Sequence, residues 1–184
     1  MDDNFSPKVR DVIAFSKEEA LRLGHEFIGT EHLVLGLIRE GEGKAMEILT
    51  AFDVDTVLLR KKLEQLNPAF TDTSSKKNLH LTRQAEKALK TTFLEAKLYQ
   101  SESIDTAHLL LCILRNENDP TTKLLNKLKA DYDNVKDEFK LILSQEDGYV
   151  EDVSAQSFSD DYSCPLYTSD AADDENWIDI DFCF

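Results

Sequence analysis

Residues 5–66 align with residues 81–142 at a constant offset of 76, without a gap, and eleven of those 62 pairs are identical. Six identities fall in one window, where the run from Ile28 to Arg39 lies over the run from Ile104 to Arg115. Most remaining pairs keep their apolar or polar character. A chain that carries one pattern twice in tandem is constrained before any single element is assigned, because each copy must fold in the same way. A unit of about 60 residues is marginal for a private core. The two copies are therefore expected to share one buried interior and to unfold together.

The periodicity within each copy is helical. Ser6-Pro7 offers a capping hydroxyl and a proline at the first helical position. Val9, Val12, Ile13, Ala20 and Leu23 follow on one face. Gly24 and Gly29 bracket a loop. Thr30 is read as the cap of a second helix whose leucines run nearly all round, which marks it as buried. Gly41-Glu42-Gly43 interrupts, a third helix carries Ile48, Leu49 and Phe52, and Asp55 caps a fourth. In the second copy Thr82 takes the place of Ser6, Thr106 of Thr30, and Asp131 of Asp55, while Asp119-Pro120 opens the third helix. The expected fold is all-α: eight helices as a tandem pseudo-twofold repeat of two four-helix units, joined by the polar stretch Asn67 to Asn78.

Charge divides the chain further. Residues 1–145 hold 24 acids and all 21 basic residues, whereas residues 146–184 hold 12 acids and no Lys or Arg. Residues 1–145 read as the folded domain, and residues 146–163 as an acidic disordered linker. The run Cys164 to Asp173 resembles a translated transposase adapter from DNA sequencing libraries, departing only at Pro165. Residues 164–184 are therefore read as non-native read-through and set aside. No basic stripe exists to meet nucleic acid, and no apolar run approaches a membrane span. The N-terminus lacks a secretory signal, and three cysteines make no paired framework, so the expected location is cytoplasmic.

Catalytic motifs fail on their flanks. Gly41-Glu42-Gly43-Lys44 lacks the first glycine and the hydroxyl that a phosphate loop requires, with Ile38 and Ala45 in those places. His25-Glu26 would need a histidine at position 29, which is glycine, so no metal site and no cofactor are expected. His32 and His108 sit just inside equivalent helices, where a hydrogen bond to a neighbouring loop is the simplest role. Cys112, opposite Gly36, reads as a buried small hydrophobe. Glu31 has two readings: an acid stabilising a helix N-terminus, or an exposed carboxylate able to take a guanidinium bidentately.

The stretch Ser16 to His25, and Ile28-Gly29-Thr30-Glu31-His32-Leu33 followed by Gly36 to Gly43, resemble the Clp N-terminal repeat, most closely the N-domain of ClpC-type ATPases. The resemblance covers residues 5 to about 145. It implies a docking domain for adaptor proteins and protein substrates, set ahead of ATPase modules that feed a ClpP-type protease in protein quality control and the stress response. It implies no catalysis by this part, so the chain is not expected to be an enzyme. In some relatives the domain binds phosphorylated arginine in two pockets related by the repeat. The matching residues are Glu31 with Ser6, and Ala107 with Thr82; Ala107 lacks the carboxylate and Asp105 replaces glycine. A freestanding Clp-repeat scaffold without an ATPase is the alternative.

Overall fold

The computed structural model describes residues 4–67 and 79–147. Glu146 and Asp147, expected in the linker, close helix α8, while residues 148–163, the read-through segment and most of the connection between the repeats lie outside the described residues. Among the described residues eight helices form: α1 Pro7–Arg22, α2 Thr30–Glu40, α3 Lys44–Ala51 and α4 Thr56–Glu64 in the first repeat, then α5 Arg83–Leu98, α6 Thr106–Leu114, α7 Pro120–Lys127 and α8 Tyr132–Asp147 in the second. Two short strands, β1 Phe27–Ile28 and β2 His80–Leu81, complete the order.

The caps follow local chemistry. Ser6 accepts the Val9 amide and Thr82 the Ala85 amide, both at 3.3 Å. Asp55 Oδ1 accepts from Val57 at 2.9 Å, and Asp119 Oδ1 from Thr121 at 2.8 Å. Each such cap satisfies amides that the first helical turn leaves unpaired. Two caps differ from expectation. Gly29 and Asp105, not Thr30 and Thr106, precede α2 and α6. In both, a histidine three residues on turns back and accepts the cap's own amide: Gly29 N–H to His32 Nδ1 and Asp105 N–H to His108 Nδ1, each 2.9 Å. Histidine thus fills the role that glutamate or glutamine takes in a capping box.

Helices α2 and α6 run through the centre. Thr30 through Leu37 are all buried, as are all residues of α6 from Thr106 to Leu114. Gly36 brings α1 against α2, because a Cβ there would lie 2.5 Å from the Val12 carbonyl. Side chains from both repeats, from Val12 and Leu33 to Leu111 and Phe139, form one apolar cluster. Each fully buried leucine in it contributes roughly 1.5–3 kcal/mol relative to exposure.

The repeats also interlock through polar groups. Thr30 Oγ1 donates to buried Asp119 at 2.9 Å, tying α2 to the start of α7. Thr106 Oγ1 accepts the Ala45 amide at 3.2 Å, tying α6 to the start of α3. Positions 24 and 100 both adopt the left-handed conformation, with φ of 70° at Gly24 and 53° at Gln100. The second repeat keeps the turn without its glycine.

Candidate functional site

The seam between repeats is crossed. Strand β1 of the first repeat pairs in parallel with β2 of the second, Phe27 opposite His80 and Ile28 opposite Leu81. The symmetric counterpart is a parallel bridge from Phe5 to Ile104. Thr82 N–H donates to the Ile28 carbonyl and Ser6 N–H to the Ile104 carbonyl, both at 2.9 Å. The start of α5, capped by Thr82, therefore adjoins the strand that leads into Glu31. The start of α1, capped by Ser6, adjoins the strand that leads into Asp105 and Ala107. The resemblance sets Glu31 with Ser6, whereas the strand before Glu31 adjoins the helix start capped by Thr82. Offsets along one chain cannot show that strands swap between copies.

Glu31 is only 9% exposed, which corrects the open carboxylate envisaged for it. Its Oε1 accepts from Asn67 Nδ2 at 2.8 Å and lies 3.5 Å from His32 Nδ1. The carboxylate occupies space that glycine leaves empty, since a Cβ on Gly29 would lie 2.2 Å from Glu31 Oε2. That observation explains the divergence of the second repeat. There the residue at the glycine position is Asp105, and the residue at the glutamate position is Ala107, which is fully buried. Each strand crossing carries a carboxylate, but it springs from position 31 at one and from position 105 at the other. Asp105 Oδ1 accepts the Thr106 amide at 2.6 Å, and its Oδ2 lies 4.0 Å from Lys44 Nζ.

His25, Glu31 and His32 place one donor atom each within 4.8 Å of one another. The hydrogen bonds decide what this trio can do. Because His32 Nδ1 accepts from Gly29, its proton sits on Nε2, which donates to His25 Nδ1 at 2.7 Å. His25 Nε2 then donates to the Asn67 carbonyl at 3.0 Å. All four ring nitrogens are satisfied with both rings neutral. A metal on His32 Nε2 would force the proton onto Nδ1, against the Gly29 amide, the reverse of the usual arrangement in which a ligating histidine donates through its other nitrogen. The trio does not suit a metal. Burial lowers the His32 pKa to about 4 despite the opposing pull of Glu31. Burial lowers His108 likewise to about 4, against the pull of Asp105.

The glycine-lysine run forms a turn between helices: Gly41, with φ of 78°, caps α2, and Gly43 precedes α3. Lys8 Nζ donates to the Glu42 carbonyl at 2.7 Å. Burial pushes the Cys112 thiol up to about 12, in keeping with an inert small side chain.

A pair of equivalent acids lies outside the motifs singled out in the sequence. Glu19 and Glu95 are each 1% exposed. Arg22, Arg39 and Arg60 converge on Glu19 at 2.7, 3.4 and 3.2 Å. Glu95 Oε1 pairs with Arg115 Nε at 2.5 Å. The signal was available, since both acids are identical between repeats and fall on the apolar face of α1 and α5.

Residues 4–128 and 80–172 match the Clp repeat (R) N-terminal domain. The chain belongs to the Clp N-terminal repeat family. It is 34% identical over 145 residues to the negative regulator of genetic competence ClpC/MecB of Bacillus subtilis, covering 78% of this chain and 18% of that protein. It is 34% identical over 124 residues to the chaperone protein ClpB of Oceanobacillus iheyensis, covering 67% and 15%. The Clp repeat chain thus spans less than a fifth of the length of these relatives. Among solved structures, the N-domain of ClpV from Vibrio cholerae superposes with a TM-score of 0.65 at 12% identity, covering 77% of this chain and 86% of that one. The N-terminal domain of ClpD from Arabidopsis thaliana gives 0.58 at 17% identity, covering 75% and 96%. These two likenesses concern the Clp N-domain fold, which is all-α apart from the crossed strands. No described helix is long and apolar enough to cross a membrane.

Proposed function

We propose that this chain is the substrate- and adaptor-docking domain of a cytoplasmic ClpC-type AAA+ chaperone-protease ATPase. It performs no chemistry itself. It receives adaptor proteins and protein substrates for an ATPase ring that unfolds them into a ClpP-type protease. The observation that carries this reading is the pair of strand crossings between the repeats, the two seam grooves of this proposal, each setting a carboxylate-bearing segment beside a helix N-terminus capped by a hydroxyl residue. Such a pair suits a ligand with a cationic and an anionic end: a guanidinium displaces Asn67 from the buried Glu31 carboxylate, and the free amides take a phosphate. Phosphorylated arginine on a substrate has both. The N-domain of ClpV, a structural relative, is known in complex with a VipB peptide.

Calorimetric titration of the chain with phosphoarginine tests the reading. Glu31→Ala removes a charge-assisted interaction of about 1.5–3 kcal/mol, so affinity at the first groove falls roughly ten- to a hundredfold. Thr82→Asp keeps a capping oxygen but opposes the phosphate, and it weakens the same site, because Thr82 adjoins Glu31's strand. Ser6→Asp leaves that site intact. Indifference to both Glu31→Ala and Thr82→Asp would refute the proposed ligand. Loss through Ser6→Asp alone would refute the groove assignment.

A further inference from the structure

Helices α1 and α5 hold equivalent places in the two repeats but present opposite surfaces. On α1, Glu18 pairs with Arg39 at 2.7 Å, while Arg22 pairs with Glu64 and with buried Glu19. That surface satisfies its own charges. Seventy-six positions on, Glu18, Arg22 and Glu64 become Leu94, Leu98 and Lys140, while Arg39 and Glu19 persist as Arg115 and Glu95. Leu94 is 45% exposed and Leu98 65%. Phe93, in the place of Lys17, is 44% exposed beneath Lys97, whose Nζ lies 4.8 Å from the ring centre.

Within the folded chain these replacements are unfavourable twice over. Two leucines face water. Leu98 also cannot donate as Arg22 does, and Glu95 Oε2 is buried with no hydrogen-bond partner among the described residues. Folding alone gives no reason for leucine at 94 and 98, whereas burial against another molecule does. The charges say which molecule. Arg115 keeps buried Glu95 but has lost the surface acid that Glu18 gives Arg39. Lys140 stands where an acid stood and has no acidic partner among the described residues.

We infer that the α5 face formed by Phe93, Leu94 and Leu98, rimmed by Arg115 and Lys140, docks an amphipathic protein segment presenting apolar side chains flanked by carboxylates. The apolar side chains cover the leucines, and the carboxylates take the places vacated by Glu18 and Glu64. This surface is separate from the seam grooves, and it belongs to the second repeat alone.

The internal repeat supplies its own control. The double variant Leu94→Glu, Leu98→Arg restores the pattern of α1, returns a donor to Glu95, and should unfold at an equal or higher urea concentration than the unaltered chain. The probe is a fluorescent amphipathic helical peptide with leucines at i and i+4 and glutamates on the flanking rows. Anisotropy should show saturable binding to the unaltered chain, at least tenfold weaker binding to the double variant, and at least tenfold weaker binding of the same peptide with lysine for glutamate. No binding of the acidic peptide, equal binding by the double variant, or preference for the lysine peptide would overturn the inference. Phosphoarginine titration of the same variant should be unchanged, so failure here and failure of the seam grooves are read separately.

Discussion

His108 gives the sharpest handle on folding. It is 1% exposed, its Nδ1 accepts the Asp105 amide at 2.9 Å, and its pKa lies at about 4 instead of 6.5. A folded pKa below the unfolded one means that the unfolded chain binds the extra proton first. Stability is then fully present above pH 6.5 and is lost progressively as pH falls toward 4. Each pH unit of difference corresponds to about 1.4 kcal/mol, so His108 alone costs roughly 2 kcal/mol at pH 5 and roughly 3 kcal/mol by pH 4. His32, also lowered to about 4, adds a loss of the same sign and similar size. A domain of ordinary stability, about 5–15 kcal/mol, would give up a large part of it in this window. Urea denaturation between pH 7.5 and 5, followed by circular dichroism, measures the loss directly. His108→Asn keeps an oxygen near the position of Nδ1 and abolishes the titration, so the variant should lose roughly half of the pH dependence while being less stable at pH 7.5. The carboxylates act lower: ion pairs with Arg22 and Arg60 outweigh burial and hold Glu64 below its usual 4.5, so its contribution fades only beneath that value. A flat stability profile from pH 7.5 to 5, or an unchanged slope in His108→Asn, would refute the assignment of neutral buried rings.

Gln100→Gly should stabilise the fold by about 1 kcal/mol in urea unfolding, because residue 100 pays for a left-handed φ of 53° that Gly24 meets without a Cβ. Glu19→Gln leaves three arginines around a neutral amide. Because those arginines are 37–45% exposed, the destabilisation should be roughly 2 kcal/mol, below that of a fully buried pair, and salt should narrow the difference. Cys112 should resist alkylation at pH 8 in the native protein and react once urea unfolds it, as read by peptide mass mapping, since burial holds its thiol near 12.

Much of the fold was legible because its signals are local. Ser6, Thr82, Asp55 and Asp119 announce helix starts through side chains that reach only two or three residues. The all-round leucines of α2 and α6 announce burial. The cap before α2 is not legible in the sequence, because Thr30 is a familiar capping residue while the Gly29 amide is met by His32 from inside the helix. The candidate site was less legible. Glu31 could be picked out, but its burial depends on Asn67, 36 residues away, and its place depends on the missing Cβ of Gly29. Asp105 looked like a loss of the motif until that empty space showed why the carboxylate could move. The partnership of Glu31 with Thr82 rests on hydrogen bonds between repeats, which no spacing within one repeat encodes.

The crossed strands carry a historical consequence. A lone repeat would hold one half of each crossing and have nothing to pair with its own strand. Two identical copies would complete each other by exchanging those strands, which is the geometry of a swapped homodimer. Joining the copies in one chain removes the need for identity. The present chain has used that freedom twice, in holding the second repeat's carboxylate at position 105, with alanine at 107, and in replacing the charged clasp of α1 by leucines on α5.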